Sequence, residues 1–178
     1  PMKKILIVLF VLTSVIGFSQ TPTYPEKTNR YINDFANVIP DEKEEGLAEI
    51  CKSIETESSS QVVLVTTNDV DKEYPIEDYS IQLARNWGIG QGGVNNGLLI
   101  LICPNNRKSR IEVGYGLEGI LTDALTRRMQ DNYFKPNFRN GDFYTGIQQA
   151  LSSIKSTISP EAIQQQKAFA EQKEKELK

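Results

Sequence analysis

Two uninterrupted apolar runs, at residues 62–65 and 98–102, constrain the fold of this chain more than any other feature. A strand whose residues are all apolar has to be covered on both faces, as in a parallel sheet with helices on either side. Between the two runs, Pro75 begins an amphipathic stretch that ends at Gly88, and proline is favoured in the first turn of a helix. This strand–helix–strand order predicts two parallel, neighbouring strands joined by a right-handed crossover.

The rest of the chain predicts one more strand and several helices. After a turn at 104–106, residues 110–113 alternate between polar and apolar, which predicts a strand antiparallel to the second apolar run. From Asp41 to a serine run at 58–60, apolar side chains recur at helical spacing. Two later helices are predicted to be capped by Thr122 and by Asp142.

The N-terminus has the pattern of a secretory signal sequence. Lys3 and Lys4 precede an apolar run at 5–18, and small or polar residues follow it. The run is shorter than the ~20 apolar residues of a spanning helix, which favours a signal peptide at 1–19, cleaved after Ser19. The alternative is an uncleaved segment that tethers the protein to a membrane through residues 5–18. Either way, we expect an exported protein of the periplasm or cell envelope.

The remainder divides into three parts by composition. The polar stretch at 20–30 is typical of a linker, because it contains Pro22 and Pro25. Residues 31–158 carry the predicted strands and helices of one domain. Residues 159–178 are almost all polar, which predicts a solvated helical or disordered tail.

Composition excludes several kinds of chemistry. The chain has no histidine, which rules out a Ser-His-Asp triad, a histidine base and a phosphohistidine intermediate. Its net charge of −3 argues against nucleic-acid binding. A bound metal would be a hard cation such as Ca²⁺ or Mg²⁺, because two cysteines with carboxylates make an unusual zinc site. Cys51 and Cys103 lie in apolar runs, which favours two buried thiols, although an oxidising compartment would permit a disulfide.

Two glycine-rich loops are predicted to meet at one edge of the sheet. One loop, at 88–96, precedes the second apolar strand, and the other, at 114–119, follows the antiparallel strand beside it. Their glycines would let the backbone approach a ligand or another chain closely. Glu118 and Asp123 project from the same edge, where they could form a cation site or serve only a tight turn and a helix start.

These segments resemble the TPM domain, a family named after a thylakoid acid phosphatase. The run Gly-Tyr-Gly-Leu-Glu-Gly at 114–119, followed by Thr122 and Asp123, is a specific signal, and the likeness spans roughly 31–158. The other matching segments are 33–39, 85–90, the apolar strand after 95–97, 111–113 and 138–143.

The resemblance implies a fold and a set of functional residues. The fold is a three-layer α/β/α sandwich with a mixed, mainly parallel central sheet. A plant relative is associated with acid phosphatase activity, and some bacterial relatives with divalent-cation binding. We therefore expect Asp34, Glu118 and Asp123 to converge on a divalent cation, Ca²⁺ or Mg²⁺, with Arg85 as the candidate catalytic residue.

Three functional classes remain open. The favoured one is a module that binds a divalent cation and an unidentified envelope or membrane protein in envelope protein maintenance. The alternative is a metal-dependent acid phosphatase in which the cation polarises a phosphate ester and Arg85 steadies the oxyanion. The third is a purely structural domain. Known phosphatase loops do not fit, because Ser109 stands where a loop starting at Cys103 would need arginine.

A mild basic cluster lies in the second half of the chain. It is compatible with a phosphate or anionic-lipid site, although a solvated surface is the simpler interpretation. Its members are Arg107, Lys108, Arg110, Arg127, Arg128, Lys135 and Arg139.

Overall fold

The structure is a computed structural model that describes residues 22–68, 70 and 74–176. The predicted signal peptide at 1–19 and the first two residues of the predicted linker lie outside the described residues. The strands are β1 (Ile32–Asp34), β2 (Gln61–Thr66), β3 (Gly97–Cys103) and β4 (Lys108–Val113). The helices are α1 (Asp41–Ser58), α2 (Ile76–Asn86), α3 (Asp123–Met129), α4 (Lys135–Arg139), α5 (Phe143–Thr157) and α6 (Pro160–Glu176). A 3₁₀ turn covers Tyr115–Leu117, and a π turn, Gln130–Phe134, joins α3 to α4.

The four strands form one sheet in the order β1-β2-β3-β4. β2 and β3 are parallel neighbours with Val62 opposite Leu98, and β4 is antiparallel to β3 with Val113 opposite Leu98. Both predictions are confirmed, because continuous apolar runs and a short polar turn leave little choice of pairing. The architecture is the expected α/β/α sandwich around a mixed, mainly parallel sheet.

The sequence did not predict β1, which pairs in parallel with β2 at the edge of the sheet. The strand has only three residues, and its middle residue, Asn33, is polar yet buried. The Asn33 carboxamide oxygen accepts hydrogen bonds from the backbone N–H groups of Thr28 and Asn29 at 3.0 and 2.9 Å. A buried amide satisfied by the preceding turn leaves no apolar alternation for a pattern search to find.

The helices cover the two faces of the sheet. α1 and α5 pack on one face with Leu64 and Ile100, whereas α2 packs on the other face with Val63 and Leu99. The crossovers β1–α1–β2 and β2–α2–β3 step across the sheet in the same direction, but their helices lie on opposite faces. The two crossovers therefore have opposite hands. Crossovers between parallel strands are almost always right-handed, which was the basis for predicting the hand of β2–α2–β3, but here only one of the two crossovers follows that rule.

Several local predictions are confirmed. The Thr122 side chain accepts a hydrogen bond from the Leu125 N–H, and the Asp142 side chain accepts one from the Thr145 N–H, so both residues cap their helices. Cys51 belongs to the core on the α1 face and Cys103 to the core on the α2 face. Both cysteines are buried thiols. The sheet lies between them, so no disulfide joins them.

Candidate functional site

The two glycine-rich loops meet as predicted, at the end of the sheet where β3 begins and β4 ends. The Gly114 N–H donates to the Gly97 carbonyl oxygen at 2.8 Å, and the Gly116 N–H donates to the Asn95 carbonyl oxygen at 3.0 Å. A Cβ atom at Gly114 would overlap the carbonyl oxygens of Asn95 and Gly97. We call residues 88–97 and 114–119 the glycine edge. Gly114 and Gly116 let one loop approach the other, so at these two positions the backbone itself occupies the space that a ligand would need.

Asp34 lies at the opposite end of the sheet from the glycine edge. It pairs with Thr66, which pairs in turn with Ile102 near the carboxyl end of β3. One Asp34 carboxylate oxygen accepts a hydrogen bond from the Thr66 hydroxyl, and the other accepts one from the Ile39 N–H at 2.8 Å. Asp34 thus holds the turn between β1 and α1.

The predicted convergence of Asp34, Glu118 and Asp123 does not occur. β1 runs parallel to β2 and β3, so its last residue lies at their carboxyl ends, whereas Glu118 follows β4 at the amino end of β3. Within residues 22–68, 70 and 74–176, no group of three or more histidine, cysteine or acidic side chains could hold a metal ion. The three carboxylates therefore cannot share one cation at the 2.3–2.6 Å that Ca²⁺ requires, roughly.

The acidic neighbours of Asp34 are on α1 instead. Burial raises the pKa of the Glu44 carboxyl, and the negative charges of Asp34 and Asp41 raise it further. The protonation of Glu44 therefore depends on the charges of Asp34 and Asp41.

The other two residues that the resemblance implied, Arg85 and Asp123, lie in different parts of the structure. Arg85 is exposed in the last turn of α2, next to the glycine edge, and forms no ion pair with any residue that the structure describes. Asp123 is the first residue of α3 and lines a groove beside β4. The four residues that the family resemblance singled out are thus not brought into one site.

A groove lies beside β4, at the end of that strand opposite the glycine edge. It has a volume of about 1210 Å³. One wall is the β3–β4 hairpin at 103–104 and 107–110, the other is the helical run from Asp123 to Arg139, and Pro75–Glu77 at the start of α2 close one side. We call it the β4 groove.

Positive charge dominates the lining of the β4 groove. Among the described residues, six cationic and three acidic side chains line it. The acids are Glu77, Asp123 and Asp131. The cations are Arg107, Lys108 and Arg110 on the hairpin wall and Arg127, Lys135 and Arg139 on the helical wall.

Only two of the six cations have a carboxylate partner in the described part of the chain. Lys135 pairs with Asp131 at 2.6 Å, and Arg110 pairs with Glu112 at 3.1 Å. The other four are exposed and form no ion pair there, and they lie on both walls: Arg107, Lys108, Arg127 and Arg139. The groove therefore keeps an excess of positive charge that carboxylates of the described residues do not neutralise.

The helical wall owes its charge pattern to sequence spacing. Arg127, Asp131, Lys135 and Arg139 recur every four residues, which places them on one side of a continuous helical run. The π turn falls in the middle of that run, where the Ser109 hydroxyl of β4 donates to the Gln130 side-chain oxygen at 3.3 Å. π turns inside α-helices are frequent at functional sites. The sequence showed the basic cluster, and this four-residue spacing was the signal that could have placed half of it on one wall.

Three phenylalanines form an apolar floor at one end of the groove. Phe134 stacks on Phe138 with ring centroids 4.9 Å apart, and Phe138 contacts Phe143 at 4.7 Å. Phe134 is fully buried, whereas Phe138 and Phe143 stay partly exposed. A Cβ atom at Gly146 would come within 2.7 Å of the Phe138 ring, so the close approach of α5 holds that ring in place.

The described groove residues show no activated nucleophile. The Ser109 hydroxyl donates to Gln130, and the Thr126 hydroxyl donates to the backbone carbonyl of Asp123. Cys103 is fully buried. Nucleophilic catalysis needs a side chain activated by an adjacent base or by a lowered pKa, and these contacts supply neither.

None of the helices within the described residues combines the length and the apolar character needed to span a bilayer.

The chain matches a known protein family and is similar to solved structures. Residues 32–157 match the family model of the TPM domain, which carries the label TPM phosphatase. The solution structure of the N-terminal domain of a P. gingivalis protein is 32% identical, with a TM-score of 0.66, over 72% of this chain and 82% of that one.

Two more distant solution structures share the fold. The N-terminal domain of the cg2496 protein from Corynebacterium glutamicum is 18% identical, with a TM-score of 0.58, and the match covers 76% of this chain and 84% of that one. The BA42 protein from Bizionia argentinensis is 16% identical, with a TM-score of 0.59, over 67% and 81%. No curated protein matches this chain.

Proposed function

The chain belongs to the TPM domain family, and we propose that it acts as a binding module that holds a negatively charged partner in the β4 groove. The proposal is supported by four exposed cations, two on each wall of one groove, that have no carboxylate partner among the residues that the structure describes. Their placement on facing walls lets one ligand contact both groups at once.

Electrostatics favours an anionic occupant. The chain has a net charge of −3, yet the groove collects six cationic side chains against three acidic ones. Cations that face each other across a concavity repel, and a bound anion offsets that repulsion. Such a concentration of one sign of charge in a cleft also raises the association rate of an oppositely charged ligand.

Metal-dependent acid phosphatase activity is the second candidate. The observation in its favour is the same set of arginines, because guanidinium groups bind phosphate oxygens well. The mechanism also needs a nucleophile or a metal-bound water, and the groove hydroxyls are already hydrogen-bonded within the protein. The cation expected at Asp34, Glu118 and Asp123 finds no support in the geometry, so the proposed function does not depend on it.

The cellular setting of the proposal comes from the N-terminal pattern alone. The basic start and the apolar run at 5–18 favour export, which would bring the groove to partners in the periplasm or cell envelope. An unidentified envelope or membrane protein remains the proposed partner.

Binding of a fluorescent polyglutamate chain tests the proposed function. We expect saturable binding that weakens as salt is added, because exposed charges are screened beyond about 10 Å at 0.1 M ionic strength. The double variant Arg127→Glu/Arg139→Glu should weaken binding about tenfold, since it reverses two unpartnered charges. Arg128→Glu is the control for position, because Arg128 is the next residue on α3 and does not line the groove, although it reverses one charge where the double variant reverses two.

The outcomes separate the binding module from the alternatives. Equal loss of binding in the double variant and in Arg128→Glu would show a general charge effect and contradict the groove. Turnover of p-nitrophenyl phosphate with added Ca²⁺ or Mg²⁺, lost in the double variant but not in the control, would establish the phosphatase instead. Binding that depends on the groove, without turnover, is the result that the proposed function predicts.

A further inference from the structure

We infer that the β4 groove binds an extended segment of a partner protein in which acidic residues alternate with apolar ones. This inference rests on the proposed function and deepens it, because it names the chemistry of the partner. Two features of the groove carry it: the length over which its cations are spread and the aromatic floor at one end.

The spread of the cations requires a long ligand. Arg127 and Arg139 are twelve positions apart on a continuous helical run, which corresponds to roughly 18 Å at 1.5 Å per residue. A single phosphate group or a lipid headgroup contacts one end of such a wall and leaves the other empty. A polypeptide in extended form covers the same distance with about five or six residues at 3.3 Å each.

The aromatic floor requires apolar side chains in the ligand. Phe138 and Phe143 stay partly exposed beside Lys135 and Arg139, and Phe138 is held from behind by Gly146. Rigid aromatic surface next to positive charge is favourable for a chain that offers a leucine or phenylalanine flanked by carboxylates. A purely polar anion would leave this apolar surface in contact with water and gain nothing from it.

Two matched peptides test the partner chemistry on the intact protein. One is a peptide of about eight residues, enough to span the helical wall, in which glutamates are interspersed with leucine and phenylalanine. The other keeps every glutamate and replaces the apolar residues with serine. We expect the apolar peptide to bind about tenfold more tightly, because one buried apolar side chain contributes roughly that factor.

The groove variants connect the peptide result to the site. Arg127→Glu/Arg139→Glu should weaken both peptides, whereas Arg128→Glu should change neither. In ¹H–¹⁵N spectra, the apolar peptide should shift the signals of Phe138 and Phe143 as well as those of the cations, and the serine peptide should shift those of the cations only.

The outcomes separate this inference from the proposed function. If both peptides bind with equal affinity and both depend on Arg127 and Arg139, the groove is an anion site, the aromatic floor is unused, and the partner chemistry inferred here is overturned while the proposed function stands. Tighter binding to vesicles of anionic phospholipid, or saturation by inorganic phosphate that displaces the peptide, also overturns it. If no anionic probe binds in a way that the double variant abolishes, the proposed function and this inference both fail.

Discussion

The glycine edge and the β4 groove lie at opposite ends of β4 and are built in different ways. At the glycine edge, residues 88–97 and 114–119 contact each other through their backbones, and a single added Cβ atom would overlap a carbonyl oxygen. In the groove, the walls stand apart around a volume of about 1210 Å³, and four cations have no carboxylate partner among the described residues. At Gly114 and Gly116 the protein itself fills the space, whereas the groove is open to a ligand.

The glycines of the glycine edge serve backbone packing, whereas the charges of the β4 groove are available for recognition. Glycine density is compatible with a ligand cradle or with close packing of backbone on backbone, and only the space left at each glycine distinguishes the two. Unpartnered charge on facing walls has no comparable packing role, because it costs repulsion and contributes little to folding stability. We therefore expect substitutions at the glycine edge to change stability and substitutions in the groove to change binding.

The largest expected effect is on stability at the glycine edge. Gly114→Ala should lower the free energy of unfolding by about 3 kcal/mol, because its Cβ would force the Asn95–Gly97 segment away. Gly92→Ala is the control, since a Cβ at Gly92 would meet nothing within 4 Å. Chemical denaturation measures both. Equal stability of the two variants would mean that the glycine edge is looser than described and could admit a ligand.

Asp34 should behave as a structural residue. Asp34→Ala should lower the free energy of unfolding by about 2 kcal/mol, because the Ile39 N–H and the Thr66 hydroxyl lose their acceptor. The loss should be the same with and without added Ca²⁺ in thermal denaturation. A calcium-dependent rise in the melting temperature of the wild type that Asp34→Ala removes would restore the cation site.

The acids around Asp34 should show their contact by titration. Asp34→Asn should lower the pKa of Glu44, since the Asp34 charge contributes to raising it after burial itself. A carboxyl whose folded pKa lies above the unfolded value binds more protons in the folded state, so Glu44 adds stability as pH falls through its raised pKa and loses it as pH rises. Side-chain NMR titration of Glu44 measures the shift. An unchanged pKa in the variant would show that burial alone sets it.

The smallest expected stability effect is in the groove. Arg127→Glu/Arg139→Glu should change the free energy of unfolding by less than about 0.5 kcal/mol, because both side chains are exposed and form no ion pair in the described part of the chain. Circular dichroism during denaturation checks this against Arg128→Glu. Strong destabilisation by the double variant alone would mean that these arginines support the fold and are not free for a ligand.

The sequence predicted those parts of the fold whose residues carry a continuous or periodic apolar pattern. β2, β3 and β4 and their directions follow from such patterns, as do the caps at Thr122 and Asp142. β1 could not be found in this way, because Asn33 is buried by hydrogen bonds rather than by apolar packing. The family resemblance implied that Asp34 lies beside Glu118 and Asp123, whereas the pairing of β1 with β2 places it at the other end of the sheet.

The sequence showed which cationic residues form the candidate site, but not that they line two walls of one groove. All six cations of the groove were visible as a mild basic cluster, and the spacing of Arg127, Lys135 and Arg139 indicates one helical side. The wall opposite depends on how the β3–β4 hairpin lies against the π turn, which is a tertiary relation that sequence periodicity does not encode. Glu118 belongs to the run that carries the specific family resemblance, yet it lies at the glycine edge, and Arg85 lies next to that edge, so neither lines the groove.

Mapping the bound acidic–apolar peptide by ¹H–¹⁵N NMR shows directly whether the β4 groove, and not the glycine edge, binds the partner. We expect shifts to concentrate on residues 107–110 and on the helical run from Asp123 to Arg139, while residues 88–97 and 114–119 stay unchanged. Shifts that cluster at the glycine edge, or that spread evenly over the surface of the wild type and of Arg127→Glu/Arg139→Glu alike, would contradict it.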